Sequence, residues 1–232
     1  MPRCGIEDIA VPRGAEIQLL TDSQSAIRAL ELDDYERLFE NRAIYAVFRE
    51  PAQPGAPPYR QVLGPALDDL PAPIRAIHDT TRQRSWRGRA RVRRGSGLVA
   101  GIIGRLIGFP AASDDVEVSV VMAPERGGER WTRRFGDRQF SSFQWPGAGK
   151  NECLMMERFG IVTVALALVV EDGRLHLVPR RWSCLGVPLP AFLLPRGNSF
   201  ETVRGDRFCF DVEIAAPLIG LIVAYDGMLE PD

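Results

Sequence analysis

An arginine set among aromatic side chains is the arrangement in this sequence that most invites a chemical role. In residues 129–142 two runs of alternating side chains meet at Gly136-Asp137, and glycine at the first central position supplies the positive φ of a type II′ hairpin turn. That register sets Phe135 opposite Arg138, Arg133 opposite Phe140 and Trp131 opposite Ser142, so Trp131, Phe135 and Phe140 surround Arg133 on one face. If this face is interior, the guanidinium needs a carboxylate such as Glu157 or an anionic ligand headgroup, because an unpaired buried charge is prohibitively costly. If it is exterior, the same residues form an ordinary cation–π ladder. Trp131, Arg133, Phe140 and Glu157 are therefore the candidate ligand-binding residues.

Other chemistries are less well supported. The two histidines, His78 and His176, have no metal-ligand spacing, and a zinc or iron site needs three or four convergent donors, so no metal is expected. His78 precedes Asp79 at a helix end, where an imidazolium would sit favourably against the helix dipole. No G-x-S-x-G elbow nominates a nucleophile, and no catalytic residue is assigned; His78, Asp79 and Glu157 are the first to test in an enzyme. The glycines at 101 and 104 lack the strand and the G-x-G start of a dinucleotide site, so no cofactor is expected. The widely spaced Cys4, Cys153, Cys184 and Cys209 read as reduced residues, and the first residues lack a signal-peptide pattern, so a cytoplasmic location is expected.

The formal charge of −1 gives no global attraction to nucleic acid. Lys150 is the only lysine, a bias that lowers the weight of any arginine count. Even so, Arg82, Arg84, Arg87, Arg89, Arg91, Arg93 and Arg94 form a basic run, either the solvated face of a strand or a docking site for anionic lipid or RNA.

These residues need elements to position them. Residues 1–50 read as a poorly specified extension and residues 51–58, with four prolines, as a linker; residues 59–232 form the domain. Two short helices precede a strand in which Trp86, Gly88, Ala90 and Val92 alternate with arginines. Ser96 then caps an almost wholly apolar helix over residues 97–109, which must be buried or pressed against a ligand, partner or membrane. Leu98, Ile102 and Leu106 are the expected lid residues on it. Everything after Pro110 reads as antiparallel strands, with Asp172-Gly173 as a type I′ turn. The fold class is α+β: a large curved antiparallel sheet or barrel of about eight or nine strands, with short N-terminal helices and one apolar helix after the first strand. Strand, apolar helix and many strands is also the order of small lipid-binding barrels.

Leu63-Gly64-Pro65-Ala66-Leu67-Asp68-Asp69-Leu70-Pro71, Ile77-His78-Asp79, Gly88-Arg89-Ala90, Ile107-Gly108-Phe109-Pro110, residues 129–142 and Glu157-Arg158-Phe159-Gly160 resemble the bacterial domain of unknown function 4166. The resemblance covers about residues 59–231. It implies a domain found alone or behind a dehydrogenase-like NAD(P)-binding domain, and it transfers no catalytic residues. Three functions are consistent with the sequence. The first is a non-catalytic binding domain for an apolar or anion-tipped small molecule. The second is an enzyme or accessory domain working with a dehydrogenase partner, and the third a peripheral membrane-contact module built on residues 82–109.

Overall fold

The computed structural model describes residues 55–79 and 81–232. The N-terminal extension over residues 1–50 and the first part of the proline-rich linker lie outside them. The sheet contains eleven antiparallel strands: β1 (Arg84–Arg94), β2 (Ser113–Glu125), β3 (Gly128–Phe135), β4 (Arg138–Pro146), β5 (Met155–Phe159), β6 (Val162–Glu171), β7 (Arg174–Cys184), β8 (Val187–Pro188), β9 (Phe200–Arg204), β10 (Arg207–Ala216) and β11 (Gly220–Pro231). Their order runs β6-β5-β4-β3-β2-β1-β11-β10-β9-β7, and β7 pairs again with β6, so ten strands close into a barrel with β8 as a two-residue annex.

The strand missing from the sequence count is β9. Its side chains run against the usual pattern: charged Glu201 is buried in the barrel while the Phe200 ring lies tilted against His176, so no apolar alternation marks it. The two turns read from sequence form as expected. Gly136 has φ 57°, and Asp172 and Gly173 have φ 47° and 71°, the paired positive values of a type I′ turn.

Strand directions divide the barrel into two unlike ends. One carries the start of β1, the end of β2 and the β6–β7 turn. It is plugged by α1 (Pro58–Leu63), a 3₁₀ turn (Gly64–Asp69) and α2 (Ala72–His78). These helices bury Tyr59, Leu67, Leu70, Ile74 and Ile77 in the same core as the inward strand residues. Arg60 clamps the plug from outside, bonding Asp68 at 2.9 Å and Asp79 at 2.8 Å, which holds the Asp68 carboxyl below its ordinary range.

At the opposite end, α3 (Leu98–Ile107) joins β1 to β2. Its N-cap is Gly97, not Ser96, and no side chain caps it. Ala100 and Gly104 form its buried face, and a Cβ on Gly104 would lie 1.7 Å from the Arg94 guanidinium, which would have to move aside. Arg94 in turn donates to the Ala100 carbonyl at 3.4 Å and the Pro110 carbonyl at 3.3 Å.

The arginine run on β1 takes its solvated reading. Arg89 meets Asp115 at 2.5 Å, Arg91 meets Asp226 at 3.2 Å, Arg93 lies 4.0 Å from Glu213, and Arg87 pairs with Asp232. Acids from β2, β10 and β11 thus neutralise the outer face across the strands, each exposed pair contributing about 0–1 kcal/mol.

The plug is the part whose burial is most complete, and Ile77 is fully enclosed. Ile77→Ala should lower unfolding free energy by about 2–5 kcal/mol in urea titration, with an unchanged far-UV spectrum below the transition.

Candidate functional site

Between the plug and α3 the barrel encloses a cavity of about 340 Å³. Most of its wall is apolar, built from Val118 and Val120 of β2, Val164 and Leu166 of β6, Ile222 and Leu229 of β11, and aromatic rings including Phe135 and Phe208. Polar side chains line it in two places, Tyr59, Arg133, Gln144, Glu157 and Glu201 beside the plug and Arg196, Ser199 and Glu213 toward the α3 end.

Register explains how β3 to β5 build this floor. The observed pairs Trp131↔Ser142, Arg133↔Phe140 and Gln144↔Glu157 put these side chains on the inward face of three adjacent strands. Arg133 Nη1 donates to Ser142 Oγ at 2.8 Å and Nη2 to Glu157 Oε1 at 3.3 Å. The same Glu157 oxygen accepts from Ser142 Oγ at 2.7 Å and from Gln144 Nε2 at 2.9 Å. The guanidinium carbon lies 5.0 Å from the Trp131 ring centroid and 5.7 Å from that of Phe140, contacts worth about 0.5–2 kcal/mol. Arg133 therefore faces inward and its charge is already matched by a carboxylate.

A second buried pair comes from the plug. His78 is fully enclosed, and its Nε2 is hydrogen-bonded to Glu201 Oε2 on β9. Tyr59 stacks on the imidazole with centroids 3.7 Å apart, and Trp131 lies 5.5 Å beyond. His78 Nδ1 is buried without a partner. Behind Trp131, its indole N–H donates to Glu129 Oε1 at 2.6 Å. Burial pushes the Glu129 carboxyl up, against the opposing pull of Trp131, His78 and Arg133.

Two tyrosines complete the lining. Burial, then the charges of Glu201, Glu157 and Glu129, hold the Tyr59 hydroxyl well above its usual range, with only Arg133 opposing. Burial pushes Tyr225 up to about 12.

Of the residues proposed from sequence, Trp131, Arg133 and Glu157 line the cavity together. Phe140 does not; it packs under the guanidinium and edge-on to Phe109 at 5.3 Å. His78 lies not at a solvated helix end but inside the barrel, because α2 turns its last residue inward. Asp79 is directed outward to Arg60. The lid residues also need correction. Ile103 and Ile107 of α3 line the cavity, whereas Leu98, Ile102 and Leu106 face solvent. Both stripes are apolar, so the sequence carried no polarity to choose between them.

Glu201, Tyr59, Gln144 and Tyr225 were missed. Gln144 and Ser142 alternate with Phe140 on the inward face, a signal present in the hairpin, whereas Glu201 is 123 positions from His78 and has no local signal. Among the described residues no cluster of three His, Cys, Asp or Glu side chains could hold a metal ion.

Removing one half of the β3–β5 ion pair should leave the other uncompensated in the core. Arg133→Met is expected to cost about 3–5 kcal/mol by chemical denaturation, and Arg133→Met combined with Glu157→Gln to cost clearly less than that single change.

A search of curated proteins finds no match to this chain, and a search of solved structures finds none either. A family model does match, over residues 70–229, which include the apolar helix, nearly the whole barrel, and His78, Arg133, Glu157 and Glu201 of the polar floor. The chain belongs to the family described as Domain of unknown function (DUF4166).

Proposed function

We propose that the barrel is a binding domain for an apolar small molecule held in its interior. The observation that carries this reading is the cavity of about 340 Å³, lined mostly by apolar side chains, with a few convergent polar groups beside the plug and Arg196, Ser199 and Glu213 toward the mouth. That volume falls in the range of about 300–1,000 Å³ usual for small-molecule sites, and the mixture of an apolar wall with few polar contacts is what such sites use for affinity and orientation.

A second reading, contact with a membrane surface, is favoured by the distribution of exposed apolar side chains. Leu98, Val99, Ile102 and Leu106 on α3, Ile161 at the β5–β6 turn, Leu185, Val187 and Phe192 after β7, and Leu218 at the β10–β11 turn are all exposed. Strand directions put every one of them at the α3 end, around the cavity mouth. Leu218 is 98 % exposed and Leu98 and Leu106 each 82 %. Arg105 and Arg196, both exposed at this end, have no acid partner among the described residues and suit anionic headgroups. Among the described residues no helix is long and apolar enough to cross a membrane, so the contact would be with a bilayer surface.

Two measurements test these readings. A neutral naphthylamine fluorophore should bind wild-type protein with one-to-one stoichiometry, and Val120→Trp, which fills the apolar wall, should weaken it by about tenfold or more; equal binding by a folded Val120→Trp protein would sink the cavity reading. In co-sedimentation with vesicles of mixed phosphatidylcholine and phosphatidylglycerol, Leu98→Ser with Leu106→Ser should lower the bound fraction several-fold, each leucine accounting for up to about 1.5–3 kcal/mol of transfer. Unchanged sedimentation would exclude docking through α3.

A further inference from the structure

We infer that the inner end of the bound molecule is a hydrogen-bond donor, a hydroxyl or a protonated amine, and not a carboxylate or phosphate. This rests on the reading of the cavity as a ligand site and names the chemistry that its polar floor selects.

Among the described residues Arg133 is the one guanidinium at the floor, and it is already engaged. Arg133 gives Nη1 to Ser142 and Nη2 to Glu157, and the rings of Trp131 and Phe140 lie within 6 Å of it. An acid headgroup would have to displace a carboxylate that is itself held by three donors at Oε1. The acceptors, in contrast, are in surplus. Glu157 concentrates its bonds on Oε1 and Glu201 makes its bond through Oε2, so each carboxylate lining the cavity keeps one oxygen without a donor. The hydroxyls of Tyr59 and Tyr225, residues only 1 % and 6 % exposed and both lining the cavity, have no hydrogen-bond partner among the described residues.

Charge points the same way. His78 engages Glu201 through Nε2, and its Nδ1 is buried without a partner, so the imidazole offers no donor to a ligand. Three carboxylates, Glu129, Glu157 and Glu201, stand around the floor against the one guanidinium of Arg133, which Glu157 already holds. After burial, the charges of Glu201, Glu157 and Glu129 hold the Tyr59 hydroxyl above its usual range, and Arg133 opposes them. A ligand anion at the floor would meet carboxylates and an engaged guanidinium; Arg196 of the cavity lining, without an acid partner among the described residues, lies at the mouth, at the other end. A hydroxyl would donate to one of the carboxylates and accept from a tyrosine, and an ammonium would also supply the missing positive charge.

Competition against the bound naphthylamine fluorophore by decanol, decylamine, decanoate and decane tests the inference at constant chain length. Decanol and decylamine should displace it at concentrations about tenfold or more below decanoate. Decanoate equal to or better than both would overturn the inference. So would three headgroups indistinguishable from one another while decane also binds, an outcome that leaves the cavity reading standing. If none of the four competes, both readings fall together. Glu201→Gln should reduce the preference for decylamine over decanoate. Because that change also alters the partner of His78, Tyr225→Phe provides an independent variant, expected to weaken decanol several-fold without affecting decane; unaltered selectivity in both folded variants would overturn the assignment.

Discussion

Ten strands hydrogen-bonded into one ring enclose more volume than their inward side chains can fill. Barrel diameter grows with strand number, and about eight strands already leave only enough room for side chains or one small ligand. The rest of this structure follows from that surplus. At one end it is filled by the chain itself, with α1, the 3₁₀ turn and α2 delivering Tyr59, Ile74, Ile77 and His78 into the lumen. In the middle it is filled by large rings, where Phe135 packs edge-on to Tyr225 at 5.2 Å and Phe210 at 6.0 Å from the same ring. What remains is the cavity. Closure is least complete at β9, which bonds β7 through only Leu175↔Glu201 and His176↔Phe200. Beyond that short ladder the wall between β7 and β10 is carried by residues 194–199, where Arg196 and Ala215 exchange backbone bonds at 2.8 and 2.7 Å.

A lumen of this width can hold charges provided that they arrive in pairs. Arg133 and Glu157 come from β3 and β5, with Ser142 and Gln144 on the strand between them supplying the bonds that complete the carboxylate's shell. Such a group costs several kcal/mol per ion in lost hydration, so its net effect on stability is small while its geometric demands are strict. The second pair couples two parts of the chain with no local connection, since His78 ends the plug and Glu201 lies on the least-paired strand. The bond between them ties the plug to β9, and with it the polar floor to the closure of the ring.

How far the sequence revealed this depends on the range of each interaction. The hairpin register, the alternating face of β1 and both tight turns were legible, because each rests on residues within a dozen positions and on a single period of two. Arg133 facing a carboxylate was legible as one of two alternatives, and choosing between them required knowing which face of the hairpin was enclosed. His78 and Glu201 were not legible as a pair. Glu201 occupies the inward position that would have marked β9 as a strand, so the residue that matters at the floor also concealed its own element. The α3 stripes failed for another reason: a helix apolar all round offers no phase, and only the contact of Ala100 and Gly104 with Arg94 fixes its rotation.

That rotation leaves an asymmetry which the fold alone does not explain. Ile103 and Ile107 contribute to the cavity wall, and Ala100 and Gly104 hold the helix to the barrel. Leu98 and Leu106 do neither, as most of each side chain remains in water. A ten-residue helix with glycines at two interior positions has little intrinsic stability, so its apolar outer face gains nothing for the isolated domain. The charged outer wall shows that this chain can supply polar residues at exposed positions, as the alternating arginines of β1 and their acid partners do. The proposed contact with a bilayer surface would account for an apolar stripe kept on the element that covers the cavity mouth, level with the exposed turns at Ile161 and Leu218. The same surface would give a ligand with an apolar body and a donating end a path into the barrel without crossing water, chain last and polar group first toward Glu157 and Glu201.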